Sequence, residues 1–511
     1  MINKAPLDLI RKLNQIGIAL SSETNLRRLL ELIVYEVRNF THADAGSLYI
    51  RDGDKLQFEV AQNDTIDNRL RVQKDHFRPF VLPLTNESIA GHVAITGEVL
   101  NIKDVYQLEE THEFYHSKDF DLRNNYRTKS MLVVPMRDHR GEIIGVLQLI
   151  NAKDDDNRIV SFPEDVESLV LSLASQAAVA IRNTQLLESI KNIFKALVQY
   201  SATAIDARSP HTAGHSKRVA ALSLLLASAI NRQTKGPFAQ VNFTEEELEE
   251  LSYAAWLHDI GKIGVPEHIL DKSARLTDNQ IELIRLRFEL ARARIEYDFQ
   301  KRLLENSLSP GELRAAELDR DRKLNQLEEG LSLVLKINRA DSINDEDITR
   351  LKEIAAMEFI DFKGERQRIF TDFELKNLEV PRGNLTDEEY EEIQSHVKYT
   401  LNILNRIPFT PELSHVPLFA ATHHEMLNGT GYPRGLKAQD IPLQARIMST
   451  ADVFDALVAS DRPYKRAMPV KKALDILLEE AENGRLDKDV VQLFIAEKIW
   501  EDASLKEDID F

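Results

Sequence analysis

Residues 423–433 read His423-His424-Glu425-Met426-Leu427-Asn428-Gly429-Thr430-Gly431-Tyr432-Pro433, two adjacent imidazoles running into a stretch punctuated by glycine and proline. Gly429, Gly431 and Pro433 make that stretch a loop, because glycine reaches backbone geometries closed to other residues. A loop beside paired imidazoles is placed to approach a ligand, so Gly431, Tyr432 and Pro433 are candidate substrate contacts. Downstream lies Ala451-Asp452-Val453-Phe454-Asp455-Ala456-Leu457, which carries Asp452. Upstream come His396, the pair His258-Asp259 between the apolar run Leu251 to Leu257 and Ile260-Gly261-Lys262-Ile263-Gly264, and His215. A lone histidine is more often a core or surface residue than a ligand, but here each stands inside a short motif. Imidazole nitrogen together with carboxylate oxygen suits Fe, Mn or Zn, whereas Mg and Ca prefer oxygen alone. The set His215, His258, Asp259, His396, His423, His424 and Asp452 is too large for one tetrahedral zinc. It points to two or more metals sharing a carboxylate, the arrangement that cleaves phosphoesters.

This half of the chain resembles the HD-GYP subfamily of the HD phosphohydrolase superfamily. The resemblance rests on Gly214-His215-Ser216-Lys217-Arg218-Val219, His258-Asp259-Ile260-Gly261-Lys262, the 423–433 stretch, and Asp461-Arg462-Pro463-Tyr464-Lys465. It covers roughly 195–275 and 384–500 and implies an all-helical domain hydrolysing cyclic di-GMP to pGpG or GMP. Under it, Asp259 bridges two divalent metals, Fe or Mn, and the six other ligands complete their shells. A metal-bridging hydroxide then attacks phosphorus, since cations acidify bound water. Lys262 stands at i, i+4 from His258 and shares its side if that segment is helical; the alternative is a solvated surface lysine. Arg446, Arg462 and Lys465 are candidate phosphate cations, guanidinium forks fitting phosphate oxygens, or else surface salt-bridge residues. His211 is either a ligand to a third metal or a helix-start residue after Ser209-Pro210.

The chain has 511 residues, enough for two or three domains, and no cysteine, which excludes disulfides, thiolate metal sites and cysteine nucleophiles. A net charge of −18 argues against binding a nucleic-acid polymer. No apolar stretch is long enough for a membrane helix, and Met1-Ile2-Asn3-Lys4-Ala5-Pro6-Leu7-Asp8 lacks a signal-peptide core. A soluble, cytoplasmic protein is expected.

Residues 1–185 alternate strand and helix patterns. Ser47–Arg51 and Leu56–Val60 flank Asp52-Gly53-Asp54, and Met131–Met136 and Ile143–Ile150 flank Asp138-His139-Arg140-Gly141. Both are hairpin signals and predict an α+β layout, an antiparallel sheet with helices segregated to one side. This part resembles a GAF domain, on Ser88-Ile89-Ala90-Gly91-His92-Val93-Ala94, Thr96-Gly97-Glu98-Val99-Leu100 and the Pro135–Asn151 hairpin. The resemblance implies a sensor for a small molecule, often a cyclic nucleotide, with Asn151, Lys153, Phe162 and Asp165 as an imperfect match to the family's nucleotide signature. The alternative is a dimerisation module.

Pro163–Gln199 reads as one unbroken helix (domain connector about 163–200). Val166, Leu173, Ala180, Leu187 and Phe194 recur every seven residues as a parallel coiled coil requires, so a homodimer is expected; packing on the helix's own sheet is the alternative. The domain over 195–511 resembles the family except at about 277–383, which reads as an insertion. It is dense in charge, with apolar Leu283, Leu286, Leu290 and Ile295 spaced for long amphipathic helices, a hairpin among the options. The functions in view are a phosphodiesterase gated by the GAF domain, a catalytically weak cyclic-dinucleotide receptor, and a phosphodiesterase for another cyclic nucleotide such as cyclic GMP-AMP.

Overall fold

A computed structural model describes residues 4–23, 25–70, 80–108, 113–208, 214–305, 308–361, 363–459 and 468–502. It divides into two compact units, 1–194 and 195–511, and no described helix is long and apolar enough to cross a membrane.

The first unit opens with α1 (Lys4–Ser22) and α2 (Leu26–Thr41), the latter started by Asn25, whose side chain accepts from the Arg28 N–H. Then come β1 (Ala43–Asp52), β2 (Lys55–Asn63), α3 (Asp64–Leu70), β3 (Phe80–Pro83), α4 (Ile89–Thr96), β4 (Leu100–Ile102), α5 (Asp119–Asn124), β5 (Met131–Arg137), β6 (Ile143–Lys153) and β7 (Ile159–Val160). The described strands form one antiparallel sheet in the order β3-β2-β1-β6-β5-β4, with β7 on β6. Both predicted hairpins are present, β1–β2 closing at Asp52 opposite Lys55 and β5–β6 at Arg137 opposite Ile143.

The helices do not keep to one side, which corrects the layout expected above. Leu48, Leu132, Val134 and Leu147 pack with α1 and α2 on one face, while Tyr49, Val133 and Val146 pack with Ile89 and Val93 of α4 on the other. The cause is the continuous apolar run Met131–Met136, which alternation sends to both faces.

A single helix, α6 (Glu164–Asp206), follows. Val170, Leu173, Ala177, Ala180 and Ile181 lie in the first unit's own core, so the seven-residue series read above as a dimer seam is there an intradomain face. Further along, Leu186, Ile190, Ile193, Leu197 and Tyr200 are exposed instead.

The second unit is mainly helical: α7 (His215–Asn231), α8 (Glu245–Leu257), α9 (Glu267–Leu270), α10 (Asp278–Glu305), α11 (Pro310–Asn338), α12 (Asp345–Ala355), β8 (Glu358–Ile360), β9 (Arg366–Arg368), α13 (Asp372–Leu378), α14 (Asp387–Leu404), α15 (Val416–Ala420), α16 (Leu443–Val458), α17 (Val470–Glu482) and α18 (Lys488–Ala496). The β8–β9 hairpin departs from the all-helical expectation. Its turn is held by Asp361, whose carboxylate accepts from the Lys363 and Glu365 N–H groups, and by Gly364 at φ +88°. Helices α10 and α11 run antiparallel, Asp278 pairing with Arg339 at one end and the Arg320 guanidinium lying 4.4 Å from the Phe299 ring centre at the other.

Ile284, Phe288, Val334, Ile337, Leu351, Phe359 and Leu378 give this segment a core of its own. Its base is fastened by Arg275, 1% exposed, which donates to the carbonyls of Val380 (3.0 Å), Ile337 (2.7 Å) and Ala340 (2.5 Å). Replacing Arg275 by Met strands the Val380 and Ala340 carbonyls at about 1–3 kcal/mol each, while the Ile337 carbonyl keeps the Ala340 N–H at 3.1 Å. We expect a markedly lower thermal midpoint and faster proteolytic cleavage within 277–383; unchanged cleavage and midpoint would show that the staple is dispensable.

Candidate metal centre

Helix α8 ends at Leu257, and the chain turns through His258-Asp259 into a 3-10 turn, Ile260–Gly264. The Thr400 hydroxyl on α14 donates to the His258 carbonyl and accepts from the Gly261 N–H, each at 3.0 Å. Gly261 permits this contact, since a Cβ there would overlap the His396 carbonyl oxygen. The turn therefore presses against α14 one helical turn from His396. His423 and His424 follow α15, Asp452 lies within α16, and His215 opens α7.

These seven side chains converge. The His215 Nε2 stands 3.6 Å from Asp259 Oδ2 and 3.2 Å from Asp452 Oδ1. The His258 Nε2 lies 3.3 Å from Asp259 Oδ2, and the His396 Nε2 lies 3.3 Å from Asp259 Oδ1. The His424 Nδ1 is 3.9 Å from Asp452 Oδ2. Two sets, His215-His258-Asp259 and His396-His423-His424, each bring one donor atom per residue to within 4.8 Å of one another.

Three of the histidines are oriented alike. Nδ1 of His258, His396 and His423 bonds the carbonyl three residues earlier, of Ala255 (2.7 Å), Ile393 (2.6 Å) and Ala420 (2.5 Å). A carbonyl only accepts, so Nδ1 carries the proton and the Nε2 lone pair faces inward. Those three Nε2 atoms and Asp259 Oδ1 are buried and lack a hydrogen-bond partner among the described residues. Buried polar atoms are ordinarily satisfied, and three lone pairs beside a carboxylate oxygen are what a divalent cation accepts. The residues fit a metal.

The electrostatics agree for His396, His423 and His424, whereas on His258 burial opposes the proton but Asp259 outweighs it and raises the ring, a proton that a bound cation would displace. Burial, with the neighbouring imidazoles, holds His423 well below the usual range, and burial also lowers His396 and His424. All three are neutral donors at physiological pH. Burial works against ionising Asp259, but the Lys262 ammonium and the His258 imidazole outweigh it and hold the carboxyl well below the ordinary value. Burial likewise opposes charge on His215, yet its bonds to Asp452 and Asp455 push it up to about 10. A cation competing for that Nε2 lone pair displaces the proton.

Lys262 does reach the cluster, its Nζ 2.5 Å from Asp259 Oδ2. It does so through the 3-10 turn at i, i+3 from Asp259, not through an α-helical i, i+4 step from His258. The Tyr432 ring lies against His424, centres 4.9 Å apart, and its N–H donates to the His424 carbonyl. Gly431 permits that fold-back, because a Cβ there would overlap the Met426 N–H. Pro433 continues the same loop.

The other candidate residues have different surroundings. Arg446 donates to the carbonyls of Ile441 and Ala438 and pairs with Asp487 at 2.9 Å. Three of its five N–H groups thereby serve structural contacts. The four GAF candidates take separate places. Asn151 accepts from the Lys129 N–H and donates to Tyr126 Oη and the Arg127 carbonyl, Lys153 is paired with Asp44, Phe162 is in the core, and Asp165 is exposed at the start of α6. His211, Arg462 and Lys465 lie outside the described residues.

Sequence reasoning missed several supporting groups. Asp455 accepts from His215 Nδ1 at 2.8 Å and from Arg218 Nε at 2.7 Å. Its signal was present: it stands three residues after Asp452, on the same helix face. The Glu425 carboxylate accepts from the Arg434 and Leu436 N–H groups and so closes the 425–436 loop. Thr400 carried no local mark of its role.

Comparison with known proteins follows this division. A GAF-domain profile matches residues 25–181, and two HD-domain profiles match 212–342 and 370–490. The chain is 46% identical over 97 residues to the 3'3'-cGAMP-specific phosphodiesterase 3 of Vibrio cholerae, covering 19% of this chain and 20% of that one. It is 41% identical over 114 residues to the cyclic di-GMP phosphodiesterase of Thermotoga maritima, covering 22% of this chain and 30% of that one. The chain thus spans under a third of the length of these relatives. The solved GAF domain/HD domain protein from Geobacter sulfurreducens is 18% identical, with a TM-score of 0.25 over 33% of this chain and 98% of that one. The chain carries a GAF domain followed by HD-domain sequence, consistent with a GAF–HD-GYP organisation.

Proposed function

We propose that the second unit is a metal-dependent phosphodiesterase that opens a cyclic dinucleotide, cyclic di-GMP in the first instance, to its linear form. The observation that carries this reading is the set of buried, unpartnered donors: Nε2 of His258, His396 and His423 with Asp259 Oδ1. Two divalent ions, with Fe or Mn suited to these donors, would be held by His215, His258, Asp259, His396, His423, His424 and Asp452; Asp259 belongs to one set and its Oδ1 lies 3.3 Å from His396 Nε2 of the other. Such ions supply acidification of water to a nucleophile at neutral pH and charge neutralisation at phosphoryl oxygens.

The chain's own residues do the rest. Asp455, fixed by Arg218, orients the His215 ring so that Nε2 faces Asp259 and Asp452. Lys262 brings an ammonium beside Asp259, where it can neutralise a phosphate oxygen or stabilise the departing ribose oxygen. The loop holding Tyr432 lays its ring against His424 at the edge of the cluster. A second substrate, 3'3'-cyclic GMP-AMP, is favoured by one observation, the specificity for which the relative at 46% identity is named. Regulation by the GAF domain is part of the proposal, supported by the helix Glu164–Asp206 that runs out of the first unit's core.

The test is product analysis by chromatography, with anaerobically purified protein loaded with Fe or Mn and offered each dinucleotide separately. Many turnovers to a linear product are expected from one of them, lost on chelation and regained on reloading. Tight binding without product would favour a receptor and sink the enzyme reading.

Changing His258 and Asp259 together to Ala should abolish both bound metal and hydrolysis; surviving activity would refute the assigned centre. Asp455→Ala acts one step removed and should lower metal affinity or activity about 10–100-fold, with substrate KM little changed. Removing residues 1–160 should change the rate or its response to small-molecule ligands. An identical rate with identical response would end the regulatory part of the proposal.

A further inference from the structure

Helix α10 is apolar on two opposite faces. One, with Ile281, Ile284, Phe288 and Ala291, is buried in the core of its own segment. The other carries Leu283, Leu286, Leu290 and Tyr297 at 52%, 58%, 52% and 57% exposure, and Leu304 at 87%. With exposed Ala293 and Gln300 these positions advance by alternate steps of three and four residues. That is the period of a coiled-coil seam, sustained over about three heptads, and single scattered apolar residues would not hold it.

The flanking charges name the partner. The residues just before Leu283, Leu290 and Tyr297 are Glu282, Glu289 and Glu296; those just after Leu286, Ala293 and Gln300 are Arg287, Arg294 and Lys301. In a parallel, in-register pair of identical helices, each acid meets the base five residues further along the other helix. Glu289 then meets Arg294 of the partner subunit, and Glu296 meets Lys301 of the partner subunit. An antiparallel pair would set acid against acid and base against base. Arg287 does not count toward this pattern, because it is held by Glu374 at 2.6 Å and 2.9 Å. Among the described residues Arg294 pairs with Asp298 at 3.0 Å and lies 5.4 Å from the Tyr297 ring centre, and Lys301 pairs with Glu305 at 3.8 Å; such exposed contacts within one helix are weak enough to exchange.

We propose that α10 forms a parallel, in-register two-stranded coiled coil with α10 of a second copy of this chain. The segment 277–383 is on this reading a self-association arm, and the inference stands independently of the reaction assigned to the metal centre.

The natural chain has no cysteine, so single cysteines report cleanly. Leu286→Cys, Ala293→Cys and Gln300→Cys would each face its own copy within disulfide reach. Under mild oxidation of the full chain all three should give covalent dimer on a non-reducing gel, far ahead of Arg292→Cys on the side of the helix. Dimer from one of the three alone indicates an antiparallel crossing, and dimer from none, or no faster than from Arg292→Cys, means another occupant of the seam; each overturns the proposal. In the Ala293→Cys background, Glu289→Lys with Glu296→Lys should cut the yield several-fold. Adding Arg294→Glu with Lys301→Glu should restore it, all at unchanged helical circular dichroism. Failure to restore would show that charge does not set the register.

Discussion

The constraint on which the helical unit depends is the burial of Asp259. Taking a carboxylate out of water is costly unless it is paired, and this one is 3% exposed. Its compensation comes from segments far apart in the chain: Lys262 from the adjoining turn, His258 from the end of α8 and His215 from α7, while the neutral ring of His396 from α14 lies 3.3 Å from its Oδ1. Each must hold its ring in one orientation. The carbonyls of Ala255, Ile393 and Ala420 do this for three of them, and Asp455 does it for His215. Gly261 and Thr400 then serve a single purpose, to let the 3-10 turn lie against α14.

Away from the centre, the molecule reuses one device. Helices α6 and α10 each devote a face to a core of their own and leave a second apolar series exposed. In α6 the two follow one another along the helix: the first unit's core takes positions to Ile181 and the exposed apolar positions begin at Leu186, with Val198 and Ala202 buried again further on. In α10 they lie back to back over the same residues. A helix that meets only its own core has no need of the second series, which is why the exposed face of α10 carries information about a partner.

How much could be read beforehand differs by residue. The metal-capable side chains were legible because each sits in a short motif whose neighbours are fixed along the chain, and the two sheet hairpins were legible because their turns lie between alternating apolar strands. The two-sided cover of the sheet was written in the unbroken run Met131–Met136, though its meaning emerges only when helices occupy both faces. The series Val166, Leu173 and Ala180 could equally serve a dimer or an intradomain face, since both need the same periodicity; burial against the sheet decides it.

The sequence by itself determined the donor types, their grouping around His258-Asp259 and His423-His424, and the absence of thiolate chemistry, since these depend on composition and on neighbours a few positions apart. Only the tertiary structure decided which nitrogen of each ring faces inward, that Asp455 supports His215, and that Arg446 bonds Ile441, Ala438 and Asp487 while Lys262 reaches Asp259. A hydrogen bond or a desolvated charge depends on distances between segments, and periodicity along the chain cannot express those distances.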